Sequence, residues 1–382
     1  MTEEAGPGTP EPKALAGPRR EQLLALVRRR DGARVADLAA ALNVTTVTIR
    51  RDLERLAAEG RVERVHGGAR PIDRSDRADR SAAPADPPSP GGKGARLEGQ
   101  VAMLVPGLDF YWPAVARAAE AEAKRHGLRL LLRGDSYESV DERPALAPLF
   151  EAADVRGVLA VPNVEGQRAG EVIDWITRQR APCVLMEREA VAPSLHRPVE
   201  SVASDHALGA ELALRHLWGL GHRRLGLVVS RNSPTTRKIR LGFERGQAEL
   251  GLDPAAGFDA LIPDTRTAGF AAAIDAVIDR VKATAVTGLL VHSDREAMGL
   301  VQRLEIRGLA VPGDLSVVAY DDEVAGLFTP ALTAVRPARQ ALGTAGVRLL
   351  VERLLEPDRP VHRMTISPEI FCRESTAAPH GV

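Results

Sequence analysis

Between Arg19 and Arg70 the apolar positions recur at helical spacing in three short runs. In "RREQLLALVRRR" Leu23, Leu24 and Val27 fall on one side, and Asp31-Gly32 ends the run. In "RVADLAAALNV" Leu38 and Leu42 stand four apart, and the pattern closes near Asn43. A third run, capped by Thr45 or Thr46, strings Ile49, Leu53 and Leu56 into one stripe, which leaves Thr48, Arg50, Arg51 and Arg55 off the core face. After Gly60, Val62 and Val65 alternate with charged residues, as in a short hairpin or wing.

From Gly99 onward the pattern changes. Continuous apolar runs such as "GQVAMLVPG", "LRLLLRG", "VRGVLAVPN", "APCVLMER", "RRLGLVVS", "VTGLLVHS" and "DLSVVAYDD" alternate with amphipathic stretches of helical period, among them "PAVARAAEAEAKRHG" and "HALGAELALRHLWGLG". Strands apolar throughout are those covered on both faces, so the body is predicted to be α/β, with parallel sheet and helices on each side. No self-similar repeat of 20 to 50 residues is visible.

Composition divides the chain further. Residues 1–17 are rich in Pro, Gly and Glu and read as a disordered tail, and 73–98 hold Pro, Ser, Gly, Asp and Arg without apolar period, as a linker does. The organisation expected is a DNA-binding unit at 18–72, the linker, and an effector domain at 99–376. The 382 residues are 44% apolar and 27% charged, a soluble globular balance. No apolar run approaches a membrane span and the N-terminus lacks a signal peptide's pattern, so a cytoplasmic location with no membrane partner is expected. Two cysteines, Cys183 and Cys372, give neither a disulfide framework nor a metal spacing. The net charge is zero but segregated: Arg19 to Arg70 hold twelve arginines against seven acids.

A helix starting with hydroxyl residues and carrying Arg50-Arg51, placed after two shorter helices, suits a helix-turn-helix whose last helix enters a major groove. The arginine fork can bind guanine or phosphate bidentately, and threonine can reach phosphate or a thymine methyl. The run "VTTVTIRRDLERLAAEGRVERVHGGA" resembles the signature of the DeoR-type winged helix-turn-helix regulators. That resemblance implies that Thr45, Thr46, Thr48, Arg50, Arg51 and Arg55 face a double-stranded DNA operator, and that His66, Gly67 and Gly68 form the wing.

The body instead resembles the effector domain of the LacI/GalR regulators, through "VASDHALGAELALRHLWGLGHRRLGLVV", "IRLGFERGQAELGL", "LLVHSDREAMGLVQRLEIRGLAVPGDLSVVAYDDEVAGLFTPALTAVR" and "LGTAGVRLLVERLL". The resemblance implies two parallel-sheet lobes of periplasmic-binding-protein type with a ligand, a sugar above all, between them at the carboxyl ends of strands. Polar groups at those ends are the candidates for holding it. Asp109 can take a hydroxyl, and Phe110 or Tyr111 can stack on a sugar face; Asn163 and the pair Glu187 and Arg188 end later strands. Ser293, Asp294 and Asp321 follow two more, and Asp321 matches the family's ligand-contacting "YDD". Asp264 stands where many relatives carry an aromatic. Ile239 occupies the usual ligand arginine's place, which leaves open whether Arg237 or Arg240 faces the pocket. Asp205 is read as a helix cap. His216 and His222 lack a third ligand nearby, and no dinucleotide fingerprint, P-loop or nucleophile elbow is present, so neither a metal, a cofactor nor catalysis is expected. The chain is read as a homodimeric DNA-binding regulator, a repressor controlled by a sugar. The alternatives are an effector domain that only dimerises or senses another metabolite, an enzyme with an accessory DNA-binding unit, and a transport-type binding protein.

Overall fold

A computed structural model describes residues 22–23, 26–27, 33–42, 44–58, 62–65, 68–71, 97–108, 111–135 and 140–380. The chain divides into two compact units, Met1–Gly94 and Ala95–Val382.

In the first unit, helices α1 (Val35–Ala41) and α2 (Thr46–Ala58) pack with a small antiparallel sheet. Its strands are β1 (Ala33–Arg34), β2 (Val62–Val65) and β3 (Gly68–Pro71), in the order β1-β3-β2. The apolar stripe of α2 has a concrete outcome, since Ile49, Leu53 and Leu56 are buried with Leu23, Val27, Leu38 and Val62 in one core. Leu24 lies outside the described residues. The pairing Val65↔Gly68 makes β2 and β3 a tight hairpin. The strand β1, absent from the sequence pattern because it is two residues long, gives that hairpin a third member.

The second unit holds two six-stranded sheets. The first lobe is built on β4 (Gln100–Val105), β5 (Arg129–Gly134), β6 (Val155–Ala160), β7 (Cys183–Met186), β10 (Ser201–Ser204) and β16 (Arg363–Ile366), ordered β16-β10-β7-β6-β4-β5 and wholly parallel. Helices α3 (Tyr111–Arg125), α4 (Arg143–Glu151) and α5 (Ala169–Thr177) connect its strands, and β8 (Val191–Ala192) with β9 (Arg197–Pro198) forms a side hairpin. The second lobe has β11 (Leu225–Ser230), β12 (Phe258–Ile262), β13 (Gly288–Val291), β14 (Ser316–Tyr320), β15 (Thr333–Arg336) and β17 (Glu369–Phe371), ordered β12-β11-β13-β14-β15-β17, with only the last pairing antiparallel. Its helices are α6 (His206–Gly219), α7 (Thr236–Glu249), α8 (Phe270–Thr284) and α9 (Asp294–Ile306); α10 (Arg339–Leu355) returns to pack on α3 and the first sheet.

Burial explains which strands the sequence announces. Central strands β13 and β14 are buried at every position, as helices on both faces require, whereas the edge strand β12 alternates and β16 is largely exposed. The closing strands β15 to β17 are three or four residues long, too short for an apolar run to stand out. Helix α5 begins without a side-chain cap, so its start carries no signal, although Val172, Ile173 and Ile176 are buried.

The chain passes between lobes three times, at Asp205, at Pro337–Ala338 and at Ser367–Pro368. In each lobe a glycine lets two helices approach. A Cβ on Gly242 of α7 would stand 2.0 Å from the carbonyl oxygen of Ala207 in α6, and one on Gly343 of α10 would stand 2.2 Å from that of Val115 in α3. Backbone cannot yield as a flexible side-chain end can. Gly242→Ala is therefore expected to destabilise the second unit by about 3 kcal/mol or more. Gly219→Ala, at a position with nothing within 4 Å, is expected to be neutral or slightly stabilising. Urea unfolding of both variants checks this, and equal midpoints would refute the close-packing account.

Candidate functional site

Between the lobes lies a cavity of about 640 Å³, walled by the segments that follow the strands. Pro106 follows β4, Asp135 follows β5 and Glu187 follows β7 in the first lobe; Ser230 ends β11, and Asp264, His292 and Asp321 stand just beyond β12, β13 and β14 in the second. Parallel strands end together, so their polar carboxyl-end loops converge on one space at the point where strand order reverses.

Glu187 is the centre of a buried network. Its Oε1 accepts from the Tyr111 hydroxyl and from Ser204 Oγ at 2.6 Å, and its Oε2 accepts from the Ser204 amide at 3.0 Å. His206 Nε2 lies 3.2 Å from the same oxygen, and its Nδ1 is 3.2 Å from the Tyr320 hydroxyl. Burial pushes the Glu187 carboxyl up, but the His206 charge and the three side-chain donors outweigh it and hold the group at about 2. Burial raises both tyrosines well above their ordinary value, so each stays a neutral donor.

The second lobe's wall is built on Asp294. Its Oδ1 accepts the Asp322 amide at 3.1 Å, and its Oδ2 accepts those of Glu323, Val324 and Ala325 at 2.6, 2.9 and 3.2 Å, which fixes the loop after β14. Ser293 gives its amide and hydroxyl to Glu296 at 2.9 and 2.7 Å at the start of α9. Asp322, buried beneath, is held by Arg336 at 2.6 Å and by Arg373 at 2.8 Å, which joins the segments after β15 and β17. Asp321 has φ +92°, Asp322 +50° and Glu187 +56°, backbone states that L-residues avoid and that gather at this cavity. The Asp321 carboxylate faces His292 Nε2 at 3.9 Å, and burial pushes it up to about 6 against the pull of His206 and Arg339.

Of the residues singled out from sequence, Tyr111, Glu187, Arg188, Asp264, Ser293, Asp294 and Asp321 line this cavity. Asp109 and Phe110 lie outside the described residues. Three others do not reach it, and local bonding explains why. Asn163 turns its Oδ1 to the amides of Glu165 and Gly166, both at 3.0 Å, and caps its own turn beside an adjoining cleft. Neither arginine whose orientation was open faces the main cavity. Arg240 forks onto Asp259 of β12, and Arg237 reaches across to Glu165 of the first lobe at 3.3 Å. Both border an adjoining cleft of about 500 Å³ that shares Glu187, Arg188 and His206 with the main cavity. Asp264 holds the Arg266 amide at 2.9 Å, so its part at the rim is largely that of a turn cap. Sequence reasoning missed Trp112, Asp135, His206, Asn232, Ser233, Arg266, His292, Arg295 and Glu323. The stretch "SRNSPTT" after β11 was the readable signal, a polar run directly at a strand's carboxyl end.

Asp205 caps α6 by accepting the Leu208 amide at 2.9 Å. His216 and His222 serve the C-terminal segment: His216 Nε2 is 2.9 Å from Thr376 Oγ1, and His222 bonds Thr287 and the Ala377 carbonyl at 2.8 and 2.9 Å. Among the described residues no group of three metal-ligating side chains gathers, and no helix is long and apolar enough to cross a membrane.

In the first unit, Thr45 Oγ1 accepts the Thr48 amide at 3.3 Å and so caps α2. Thr45, Thr46 and Arg51 are exposed and Thr48 is half-buried, while Ile49 and Leu53 of the same helix are buried. Arg50 and Arg55 lie on α2, though their side chains fall outside the described residues, as do His66 and Gly67; Gly68 opens β3.

Residues 214–376 match the model of the periplasmic binding protein-like domain, and residues 19–75 match that of the DeoR-like helix-turn-helix domain. The chain is 31% identical over 298 residues to the HTH-type transcriptional regulator MalR of Streptomyces coelicolor, covering 75% of this chain and 83% of that protein. Among solved structures, a LacI family transcriptional regulator from Mycobacterium smegmatis is 25% identical with a TM-score of 0.58, over 73% of this chain and 99% of that one. A second, from Enterococcus faecium with bound ribose, is 22% identical with a TM-score of 0.60, over 73% and 99%. With this likeness spanning most of a known regulator, and two lobes closing on a polar cavity, the chain belongs to the LacI family of transcriptional regulators.

Proposed function

We propose that this protein is a cytoplasmic, homodimeric transcriptional repressor that binds an operator through a DeoR-type winged helix and releases or grips it in response to a sugar held between the lobes of its second unit. The observation that carries the reading is the interlobe cavity, whose walls come from both lobes and offer carboxylate, hydroxyl, amide and imidazole groups. A polyol needs such mixed donors and acceptors, because each buried hydroxyl left without a partner costs about 1–3 kcal/mol. The ribose held by the Enterococcus faecium regulator supports the sugar class. Tyr111, backed edge to face at 5.3 Å by the buried Trp112, supplies an aromatic surface for a sugar ring.

Two ion pairs cross the cleft, Arg237 to Glu165 at 3.3 Å and Lys238 to Glu189 at 3.5 Å. They favour a mechanism in which the lobes move against each other, with ligand selecting the closed arrangement through its higher affinity for it. Lobe motion in two paired subunits then changes the spacing of two recognition helices on their half-sites. In that role Thr45, Thr46, Thr48, Arg50, Arg51 and Arg55 meet DNA, with His66, Gly67 and Gly68 as the wing tip. Tyr111, Glu187, Arg188 and Asp321 meet the ligand, and Asp264, Ser293 and Asp294 shape its wall.

Fluorescence anisotropy on the DNA upstream of the protein's own coding region, at one fixed salt concentration, tests the reading. Specific binding shifted by one member of a sugar panel is expected; specific binding indifferent to a sugar that calorimetry shows to be bound would overturn the coupling. Arg51→Ala is expected to weaken operator binding by about 5- to 150-fold, the worth of one good base contact. Sugar affinity in that variant is expected to stay unchanged. Glu187→Gln is expected to lower sugar affinity, read by calorimetry, about ten-fold or more, because a neutral amide forfeits charge-assisted bonds to Tyr111, Ser204 and His206 that hold the cavity wall.

A further inference from the structure

The lining of the main cavity includes seven carboxylates and three guanidinium groups. Four of the carboxylates are already satisfied: Glu187 by its network, Asp294 by four amides, Glu296 by Ser293 and Asp264 by its own turn. Asp321, Glu323 and Asp135 differ. Among the described residues, Asp321 has His292 Nε2 at 3.9 Å, beyond hydrogen-bond reach. Glu323 Oε1 is buried without a hydrogen bond, with Arg339 Nη1 at 3.8 Å; that guanidinium is occupied by the carbonyl oxygens of Asp321 and Asp322. Asp135 Oδ2, on the opposite lobe, also accepts no hydrogen bond among the described residues.

A second feature points the same way. His292, only 6% exposed, lines the cavity with its Nδ1 unpartnered. Burial holds this imidazole well below its ordinary value, so at neutral pH it brings no positive charge to Asp321 beside it. Burial pushes Glu323 up to about 7 despite the pull of Arg339 and Arg295, and Asp321 and Asp294 add to the rise by repulsion. What Asp321 and Glu323 Oε1 lack, among the described residues, is a hydrogen-bonded cation: Arg339 stops 3.8 Å from Glu323 Oε1, and His292 Nε2 stops 3.9 Å from Asp321. A hydroxyl donates one hydrogen and leaves the charge in place, whereas an ammonium donates three and neutralises it.

We propose that the effector is an amine-bearing sugar or polyol, whose protonated amino group docks on Asp321 and Glu323 beside His292 while its hydroxylated remainder meets Asp135, Asn232 and Ser233. This rests on the reading of the cavity as a sugar site and narrows its ligand class. Arg188, Arg266 and Arg295 also line the cavity, which suits a ligand with polar groups of both kinds.

The test is titration calorimetry of the full-length protein with matched pairs: glucosamine and glucose, galactosamine and galactose, mannosamine and mannose. At least one amino member is expected to bind ten-fold or more tighter than its neutral partner, and the double variant Asp321→Asn, Glu323→Gln to lose that preference. Asparagine tolerates the positive φ at position 321. The ligand-free double variant is expected to melt at or above the parent's temperature, since it removes repulsion, which separates lost recognition from lost folding. A neutral sugar that binds as tightly as its amino counterpart, or a preference that survives the double substitution, overturns the amine and leaves the sugar reading standing. Absence of binding by all six compounds overturns the amine, and ribose titrated alongside decides the sugar reading, which falls if ribose too fails to bind.

Discussion

The buried carboxylate of Glu187 joins what the chain's topology would otherwise leave separate. It stands at the end of β7 in the first lobe and gathers Tyr111 from the start of α3, Ser204 from the end of β10 and His206 from the first turn of α6, which already belongs to the second lobe. His206 extends the network to Tyr320 at the end of β14. A carboxylate this deep is tolerated only with its charge and lone pairs matched, so the five groups are tied to one geometry. That geometry lies across the first crossover between lobes and forms part of the cavity wall. Ligand recognition and lobe orientation therefore depend on the same atoms.

Asp322 plays the corresponding part on the other side. Its bonds to Arg336 and Arg373 fasten the segments that leave β15 and follow β17, next to the remaining two crossovers. Arg339, at the first turn of α10, holds the carbonyls of Asp321 and Asp322 and reaches within 5.8 Å of the Tyr111 ring centre. Breaking one partner of such a buried pair leaves an uncompensated charge, which is far costlier than losing a surface pair. The loop bearing Asp321 is thus rigid where its side chain must point into the cavity, and its left-handed backbone is maintained by these surrounding bonds.

The cavity itself divides between groups that build it and groups left to bind. Asp294, Ser293, Glu296 and Asp264 are acidic or hydroxyl residues at strand ends, yet their hydrogen bonds hold loops and helix starts. Asp321, Glu323, Asp135 and His292 retain unmatched polar atoms or an unbonded carboxylate. Among the described residues Asp321 and Glu323 Oε1, separated by one residue, keep a charged neighbour only at 3.8–3.9 Å, while Asp322 between them is bonded to two arginines. Residue type alone does not distinguish them.

What the sequence determined by itself is what depends on local period and short-range chemistry. The stripe of Ile49, Leu53 and Leu56 dictated α2 and turned Arg51 outward, the uniformly apolar runs dictated central parallel strands, and polar residues directly after those runs marked where a ligand site forms. Asp205 as a cap was readable because capping is a matter of three residues. Tertiary structure alone decided the rest, because the deciding partner lies far along the chain. Arg240 is withdrawn from the cavity by Asp259, Arg237 is drawn to Glu165 in the other lobe, and Glu187 acquires its role from residues 17 to 76 positions away. Short closing strands such as β16 exist only because β10 offers them an edge, and no pattern within four residues announces that pairing. Periodicity specifies which face of an element is buried; which buried polar atom finds a partner, and which is left for a ligand, is settled only when the two lobes are assembled.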